Sequence, residues 1–437
     1  MNDVQIHSPM PITQCMRLDS RNLLSGRAFV TNLMVGIIGC GLLSGTARAE
    51  WTPADWLDVR SFGTIGLVHN NDSDVEFVRN LTQSDADGDS TSLTQDTVFG
   101  VQLDARISDQ LSATLQSSTK YRHDGDFGSE ISWLFLKYRP TPDLDIRFGR
   151  MGLDLFFRSD SQDIGYSFTW VRPPHDFYGT VAFSQFDGID LTKNLMLARG
   201  YLKLKAFAGE LNESFAGERL GNLDFDGSPI RGVIGEYTRG NFTGRLSAAR
   251  MGLEGQSAAL DQLTGNLSNL AQLTMLPQLA ELAQGLRLSD QDLDYLSLAI
   301  AYDKGPWGLL SSIAQMSTDM LLFTDNTAWF TSLSYRHGRF KPYVYASGLR
   351  SERTPPVSTI VGGPILDAQI NALIEGTRIH QSTVGFGVRT EIATNLAFKA
   401  QVDIADSRAR QSLFWRNETP AWDGDVTLLS LALDFVF

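Results

Sequence analysis

The chain ends in Leu429-Ser430-Leu431-Ala432-Leu433-Asp434-Phe435-Val436-Phe437, where apolar side chains occupy every second position. Successive side chains of a β-strand point to opposite faces of the sheet, so this stretch predicts a strand with one apolar face. The same period recurs from Val98 to Ile107 and from Leu396 to Ile404. A soluble β-sandwich shows the same alternation, so the pattern predicts strands and leaves the architecture open.

The connections between these segments narrow the architecture. Short connections rich in Gly, Pro, Asn and Asp alternate with long ones. The long connections cover approximately 70–95, 151–184, 210–227, 251–292, 351–378 and 408–425, with shorter ones near 122–128 and 318–326. We count sixteen strands, with starts near 61, 97, 111, 129, 144, 185, 200, 229, 242, 294, 307, 327, 340, 379, 396 and 426. The expected fold class is therefore all-β, a transmembrane antiparallel β-barrel of about 16 strands, because such barrels alternate short turns with long outer loops.

Aromatic residues favour the same architecture, because amphipathic rings form girdles where a barrel crosses the membrane interfaces. At predicted strand ends and beside turns the chain has Trp133, Tyr138, Phe148, Trp307, Trp329, Tyr335, Tyr343, Tyr345, Trp415, Trp422 and Phe437. Ordinary core packing would also use such residues, so this observation supports the barrel without requiring it.

The N-terminal residues are expected to be an export signal. Basic residues precede the apolar stretch Ala28–Ser44, and an A-x-A cleavage site follows at 47–49. We therefore divide the chain into a signal peptide, 1–49, and a barrel domain, 50–437. Ile37-Ile38-Gly39-Cys40 resembles a bacterial lipoprotein box, which leaves lipidation of Cys40 open.

Composition excludes several classes of function. The formal net charge of −13 argues against a non-specific nucleic-acid binder, which needs a basic surface. Both cysteines, Cys15 and Cys40, precede residue 50, so the remaining chain has no thiol for a disulfide, a metal site or a nucleophile. Histidines lie singly, and no phosphate-binding or dinucleotide motif is present. We therefore expect no cofactor and no metal.

One block of sequence resembles a known family. Arg147-Phe148-Gly149-Arg150-Met151-Gly152 ends a strand and precedes a long loop that contains Gly165-Tyr166-Ser167-Phe168-Thr169-Trp170-Val171-Arg172-Pro173-Pro174. This arrangement is similar to the constriction-loop region of Gram-negative outer-membrane porins, and terminal Phe437 is similar to the signal that their insertion machinery recognises. Two loops are longer than the family pattern, and no substrate-binding residue can be matched individually.

The resemblance implies sixteen strands, a homotrimer in the bacterial outer membrane, and passive diffusion of small polar solutes or ions through a water-filled channel. It also implies that loop 151–184 folds inward as a constriction loop. The preferred solute and the choice between anions and cations stay open.

The candidate pore-lining residues are charged residues that are expected on the water-facing side of the strands or in loop 151–184. A pore selects solutes by placing charge near its narrowest section. The basic candidates are Arg106, Arg147, Arg150, Lys203 and Lys205. The loop contributes Asp154, Arg158, Asp160 and Asp163. Acids of the loop facing bases across a gap would create a transverse field. A solvated face with local charge pairs would show the same composition, so the assignment of each residue is a hypothesis.

Two of the long loops are predicted to contain helices. Leucines recur at three-to-four-residue spacing through 251–292, interrupted by Pro277, and loop 351–378 repeats the pattern around Ile370. We expect these helices to pack on each other, either as a partial lid over the pore or as a contact between subunits.

Two other classes of function need consideration. Long outer loops would also suit a structural or adhesive barrel with a closed lumen. His380-Gln381-Ser382 has the H-x-S spacing of outer-membrane phospholipases, but Thr383-Val384-Gly385 does not continue their pattern, and no acidic calcium-binding cluster lies nearby. We therefore expect no enzymatic activity.

Overall fold

The structure is a computed structural model that describes residues 55–83, 90–179, 181, 183–215, 222–352, 363–407 and 415–437. The predicted signal peptide, 1–49, and Cys40 lie outside the described residues. Among the described residues, no helix is long and apolar enough to cross a membrane.

Sixteen long antiparallel strands form one sheet. They are β1 (Leu57–Asn70), β2 (Val98–Arg106), β3 (Leu111–Tyr121), β4 (Phe127–Thr141), β5 (Leu144–Gly152), β6 (Gln185–Leu197), β7 (Gly200–Leu211), β8 (Ser228–Arg239), β9 (Phe242–Glu254), β10 (Ser289–Lys304), β11 (Trp307–Thr318), β12 (Asn326–Tyr335), β13 (Phe340–Ser351), β14 (His380–Ala393), β15 (Leu396–Ser407) and β16 (Asp425–Val436). Each strand pairs with the next along the chain, and Thr91–Ser92 adds a short pairing to β1.

The sheet closes on itself because the last strand pairs with the first. The register of this pair runs from Phe62 opposite Val436 to Asn70 opposite Leu428. The predicted all-β transmembrane barrel is therefore confirmed. The largest disagreement in a strand start is at β10, which begins at Ser289 instead of near 294.

The two ends of the barrel differ as the sequence predicts. Short turns join the strands at one end, and Gly240, Gly305 and Gly338 have positive φ values of 56, 58 and 59° there, a conformation that suits glycine in tight turns. Both ends of the barrel chain lie at this end, where the Phe437 N–H donates to the Ser61 carbonyl at 2.7 Å. The long loops lie at the other end.

Most aromatic residues of the expected girdles face outward, but five do not, and one of these, Trp133, lines a cavity inside the barrel. Phe148 is 67% exposed and Trp307 is 51% exposed on the outer, lipid-facing surface. The expectation is wrong for a second set, which is buried inside the barrel or beneath its outer loops: Tyr343, Tyr345, Trp415 and Trp422. Tyr343 and Tyr345 alternate to the inner face of β13, so strand position and side-chain direction must be judged together.

The segment between β5 and β6, which we call L3 (residues 153–184), lies inside the barrel. It contains 3-10 turns at Ser159–Ser161 and Gly165–Ser167 and the short helix α1 (His175–Tyr178). Its Phe177 ring meets Phe330 of β12 at a centroid distance of 5.0 Å, and its Phe156 ring meets Tyr295 of β10 at 5.8 Å. Part of the barrel interior is therefore an aromatic core.

The predicted outer-loop helices are present. Between β9 and β10, α2 (Ala258–Thr274) and α3 (Pro277–Gly285) pack on each other, and Pro277 begins the second helix instead of interrupting one. A third helix, α4 (Gly363–Glu375), precedes β14. The Gly285 carbonyl accepts from the Leu321 N–H at 2.9 Å, and Thr377, just after α4, donates to the Leu322 carbonyl. Segment 319–325 therefore contacts both helical loops.

Candidate functional site

L3 is fixed to one side of the barrel by buried charges on β14, β15 and β16. Lys399 Nζ of β15 donates to the Gly165 carbonyl at 2.8 Å and to the Trp170 carbonyl at 2.7 Å. The same ammonium group forms an ion pair with Asp434 of β16 at 2.8 Å, and neither side chain has any exposed surface. Since a buried ammonium group needs several partners, this contact holds the loop backbone against the wall.

A buried arginine strengthens this attachment. Arg172 of L3 forms an ion pair with Asp96 at 2.8 Å and donates to the hydroxyl of Ser430. Arg389 of β14 donates to the Phe168 carbonyl at 2.7 Å. L3 therefore excludes solvent from the inner faces of β15, β16 and β1.

The helix α1 continues this attachment with two side chains, Asp176 and His175, whose charged forms are disfavoured by burial. Asp176 accepts hydrogen bonds from Gln381 at 2.6 Å, Ser347 at 2.7 Å and Thr383 at 3.1 Å. Burial raises the pKa of Asp176, although these three donors oppose the shift. Burial, and then nearby arginines, lower the pKa of His175 to about 3. The imidazole is therefore neutral at physiological pH.

The opposite wall of the barrel has a row of alternating charges, which we call the charged row: Arg147, Asp190, Lys205, Asp154 and Arg245. Arg147 Nε of β5 lies 3.0 Å from an Asp190 carboxylate oxygen, and Asp190 of β6 lies 3.3 Å from Lys205 Nζ of β7. Asp154, from L3, lies 3.4 Å from Lys205 Nζ and 2.6 Å from Arg245 Nη2 of β9. L3 thus contributes an acid to a wall that is otherwise made by successive strands.

The charged row keeps its loop acid ionised. Burial opposes the charge of Asp154, but Arg245 and Lys205 outweigh it and lower its pKa. Glu236 of β8 extends the row, 3.1 Å from Arg245 Nη1.

Two charged residues of L3 remain open to solvent inside the barrel. Arg158 and Asp160 are both exposed, although L3 lies within the strands. Arg158 Nη1 donates to the Ser167 carbonyl at 2.6 Å, whereas Asp160 has no hydrogen bond or ion pair to any described residue. The protein around it still removes part of its hydration, and this desolvation, followed by the charge of Asp154, raises the pKa of Asp160. Water therefore reaches this part of the interior.

The structure brings some of the predicted residues together. Arg147, Lys205 and Asp154 belong to the charged row, and Lys203 lies half-buried on the same inner face of β7. Asp163 instead pairs with Lys120 of β3 at 3.3 Å. Burial opposes its charge, but Lys120 and Arg79 lower its pKa.

Two of the predicted residues lie elsewhere. Arg106 is on the inner face of β2 but at its turn end, where it is exposed. Arg150 is not on the inner wall: it points outward and forms an ion pair with Asp187 at 2.6 Å. Because Arg147 points inward, the residue three positions later on a strand must point to the other face.

Three charged side chains of these ion pairs were not among our candidates. Asp190 lies on β6, whose alternation is the least regular in the sequence, while Arg245 and Lys120 lie at inward positions of well-patterned strands. Alternation predicted the direction of the last two but not their partners. His380 and Ser382, the H-x-S residues, lie on the outward face of β14, where neighbouring Val384 is exposed.

No protein-family model and no curated protein matches the sequence. Solved structures do match. OmpT of Vibrio cholerae has a TM-score of 0.50 and 10% identity, over 88% of this chain and 99% of that chain. The outer membrane channel DcaP of Acinetobacter baumannii has a TM-score of 0.50 and 11% identity, over 89% and 99%. An anion-selective porin from Comamonas acidovorans has a TM-score of 0.48 and 11% identity, over 87% and 100%. The chain therefore shares the β-barrel fold of the Vibrio cholerae and Acinetobacter baumannii outer-membrane proteins.

Proposed function

We propose that the protein is an outer-membrane porin that lets small polar solutes or ions diffuse passively through a narrow water-filled channel. The observation that carries this proposal is a solvent-exposed part of L3 inside the barrel. L3 is sealed against β14–β16, whereas its Arg158 and Asp160 are open to solvent, and Asp160 lies within reach of the charges of Asp154, Lys205 and Arg245.

Arg147, at one end of the charged row, and the exposed Asp160 supply the charges that such a channel needs. The Arg147 side chain is 24% exposed, whereas the other four members of the row are buried. Arg147 and Asp160 can therefore exchange part of a solute's hydration shell for charged groups of either sign. Arg147 is already paired with Asp190, while Asp160 has no such partner, so the two should act on permeating ions in different ways.

The proposal is tested by reversal potentials in planar bilayers under a salt gradient. Arg147→Ala leaves Asp190 without that partner and should shift selectivity towards cations. Asp160→Ala removes an acid and should shift it towards anions. Arg150→Ala is the matched control, because it removes the same charge as Arg147→Ala on the outer surface. Unchanged reversal potentials in both inner variants would contradict the proposed lining.

The wider context of the channel is part of the proposal. We place the protein in the bacterial outer membrane as a homotrimer, with segment 1–49 as the cleavable signal peptide that directs its export. Phe437, 70% exposed at the chain end, is the proposed contact for the insertion machinery. Trimers would appear as a heat-sensitive high-mass band in unboiled gel samples, and deletion of Phe437 should reduce membrane insertion.

A closed-lumen structural barrel is the second candidate, and the dense attachment of L3 favours it. Reconstituted vesicles separate the possibilities. A porin gives stepwise conductance and solute-dependent liposome swelling, a closed barrel gives neither, and a phospholipase would release free fatty acid.

A further inference from the structure

A small cavity lies between L3 and the inner face of β3 and β4. Its volume is about 40 Å³, and its charged and amide lining includes Gln116, Lys120, Asp160, Asp163 and Gln185. A single water-sized occupant needs about 10–15 Å³. The cavity therefore has room for an ion with one or two waters.

Two amide oxygens in this lining have no partner. The Oε1 atoms of Gln116 and Gln185 form no hydrogen bond with a described residue, and the side chains are only 2% and 8% exposed. A buried acceptor without a donor or a cation is unfavourable. An occupant that satisfies both must therefore be a cation or a hydrogen-bond donor.

The charges around the cavity favour a cation. Its charged lining residues are one base, Lys120, and two acids, Asp160 and Asp163, which give a net charge of −1. The Lys120 ammonium is already engaged by Glu130 at 2.8 Å and by Asp163 at 3.3 Å. Asp160 has no bonded partner among the described residues, so its negative charge is left for an occupant.

We propose that this cavity binds a small hard cation such as calcium through the Asp160 carboxylate and the amide oxygens of Gln116 and Gln185. Hard cations take carboxylate and amide carbonyl oxygens together with water. The described residues contain no cluster of three or more acidic, histidine or cysteine side chains suited to a metal. Amide oxygens must therefore supply part of the coordination of the ion. The role of the ion rests on the proposed porin function: it would neutralise Asp160 and shift the channel towards anions.

Terbium luminescence tests this site without any transport measurement. Tb³⁺ replaces Ca²⁺ at oxygen sites, and Trp133 lines the same cavity as a sensitising donor. The refolded barrel in detergent should give saturable sensitised emission that Ca²⁺ displaces. Asp160→Asn should weaken Tb³⁺ binding at least tenfold, and Gln116→Met should weaken it less. Trp133→Phe should reduce the emission while Ca²⁺ binding, followed by calorimetry, persists.

Control variants separate this site from surface binding. Asp109→Asn removes one exposed acid from a turn and should leave the titration unchanged. Displacement of Tb³⁺ by Na⁺ at millimolar concentration would identify a monovalent ion as the occupant. Displacement of Tb³⁺ by Ca²⁺ but not by Na⁺ would identify a divalent ion. Both results support the site. Absence of saturable emission, or equal emission from Asp160→Asn, would overturn the proposal and leave water as the partner of the amide oxygens. Since conductance is measured separately, a channel without this site and a site without a channel are distinguishable.

Discussion

Lys399→Met should release L3 from the barrel wall. The substitution keeps a long unbranched side chain but removes the ammonium that binds the Gly165 and Trp170 carbonyls. It also leaves the Asp434 carboxylate, which has no exposed surface, with the Thr64 hydroxyl at 2.6 Å as its remaining side-chain hydrogen-bond partner among the described residues. The sixteen-strand ladder does not depend on this group, so the barrel itself should remain folded.

The loss of stability follows from leaving the Asp434 carboxylate buried without its ion-pair partner. Removing one partner of a buried ion pair destabilises a protein by about 3–5 kcal/mol. If the loss of stability affects L3 and not the strands, the free energy needed to detach the loop from the wall falls by about the same amount. Because about 1.4 kcal/mol corresponds to a factor of ten, opening should become at least roughly 100-fold more frequent.

Hydrogen exchange followed by mass spectrometry measures that opening. Within 165–172, the N–H groups of Ser167, Phe168 and Val171 donate hydrogen bonds at 2.9, 3.0 and 2.9 Å, so these amides should be protected in the native protein. They should exchange at least 100-fold faster in Lys399→Met, and Asp434→Asn in the same chain should recover part of the loss. Lys304→Met, at an exposed turn, is the control. Native exchange of 165–172 in Lys399→Met would refute the role of Lys399 as the anchor of L3.

Other parts of the barrel give further predictions. Gly149→Ala should lower the yield of heat-resistant folded barrel on gels, because φ is +128° there and a Cβ would lie 2.2 Å from the Leu134 carbonyl oxygen. The permeability to cations relative to anions in bilayers should decrease as pH falls, and at a higher pH than an ordinary aspartate implies, because Asp160 has a raised pKa; this decrease should be absent in Asp160→Asn. Because the pKa of His175 is lowered to about 3, the unfolded chain binds the proton more readily, so L3 stability should fall as pH drops below about 6.5 towards 3, and less so in His175→Phe, as measured by hydrogen exchange. Deleting 258–285 should leave single-channel conductance unchanged if α2 and α3 serve subunit contact, and raise it if they cover the pore.

Period-two alternation explains why so much of the fold could be predicted. A lipid-facing residue such as Leu296, 52% exposed, must be apolar, and its neighbours must face the interior, so every strand has the same pattern. The aromatic core could not be predicted this way. Tyr295 and Phe330 occupy inward positions that face L3 instead of water, and nothing in the strand pattern distinguishes an inward position covered by a loop from one that is wet.

Charge pairing in the candidate site was predictable only where a short turn fixes the register. Across the turn between β8 and β9, Arg239 opposes Phe242, which brings Glu236 opposite Arg245 by simple counting. Arg147 and Asp190 are also direct neighbours, but L3 separates their strands, so no turn length links their positions. The strongest pairs of the charged row therefore depend on how a long loop folds, and a sequence that predicts each strand well can still leave its functional partners unassigned.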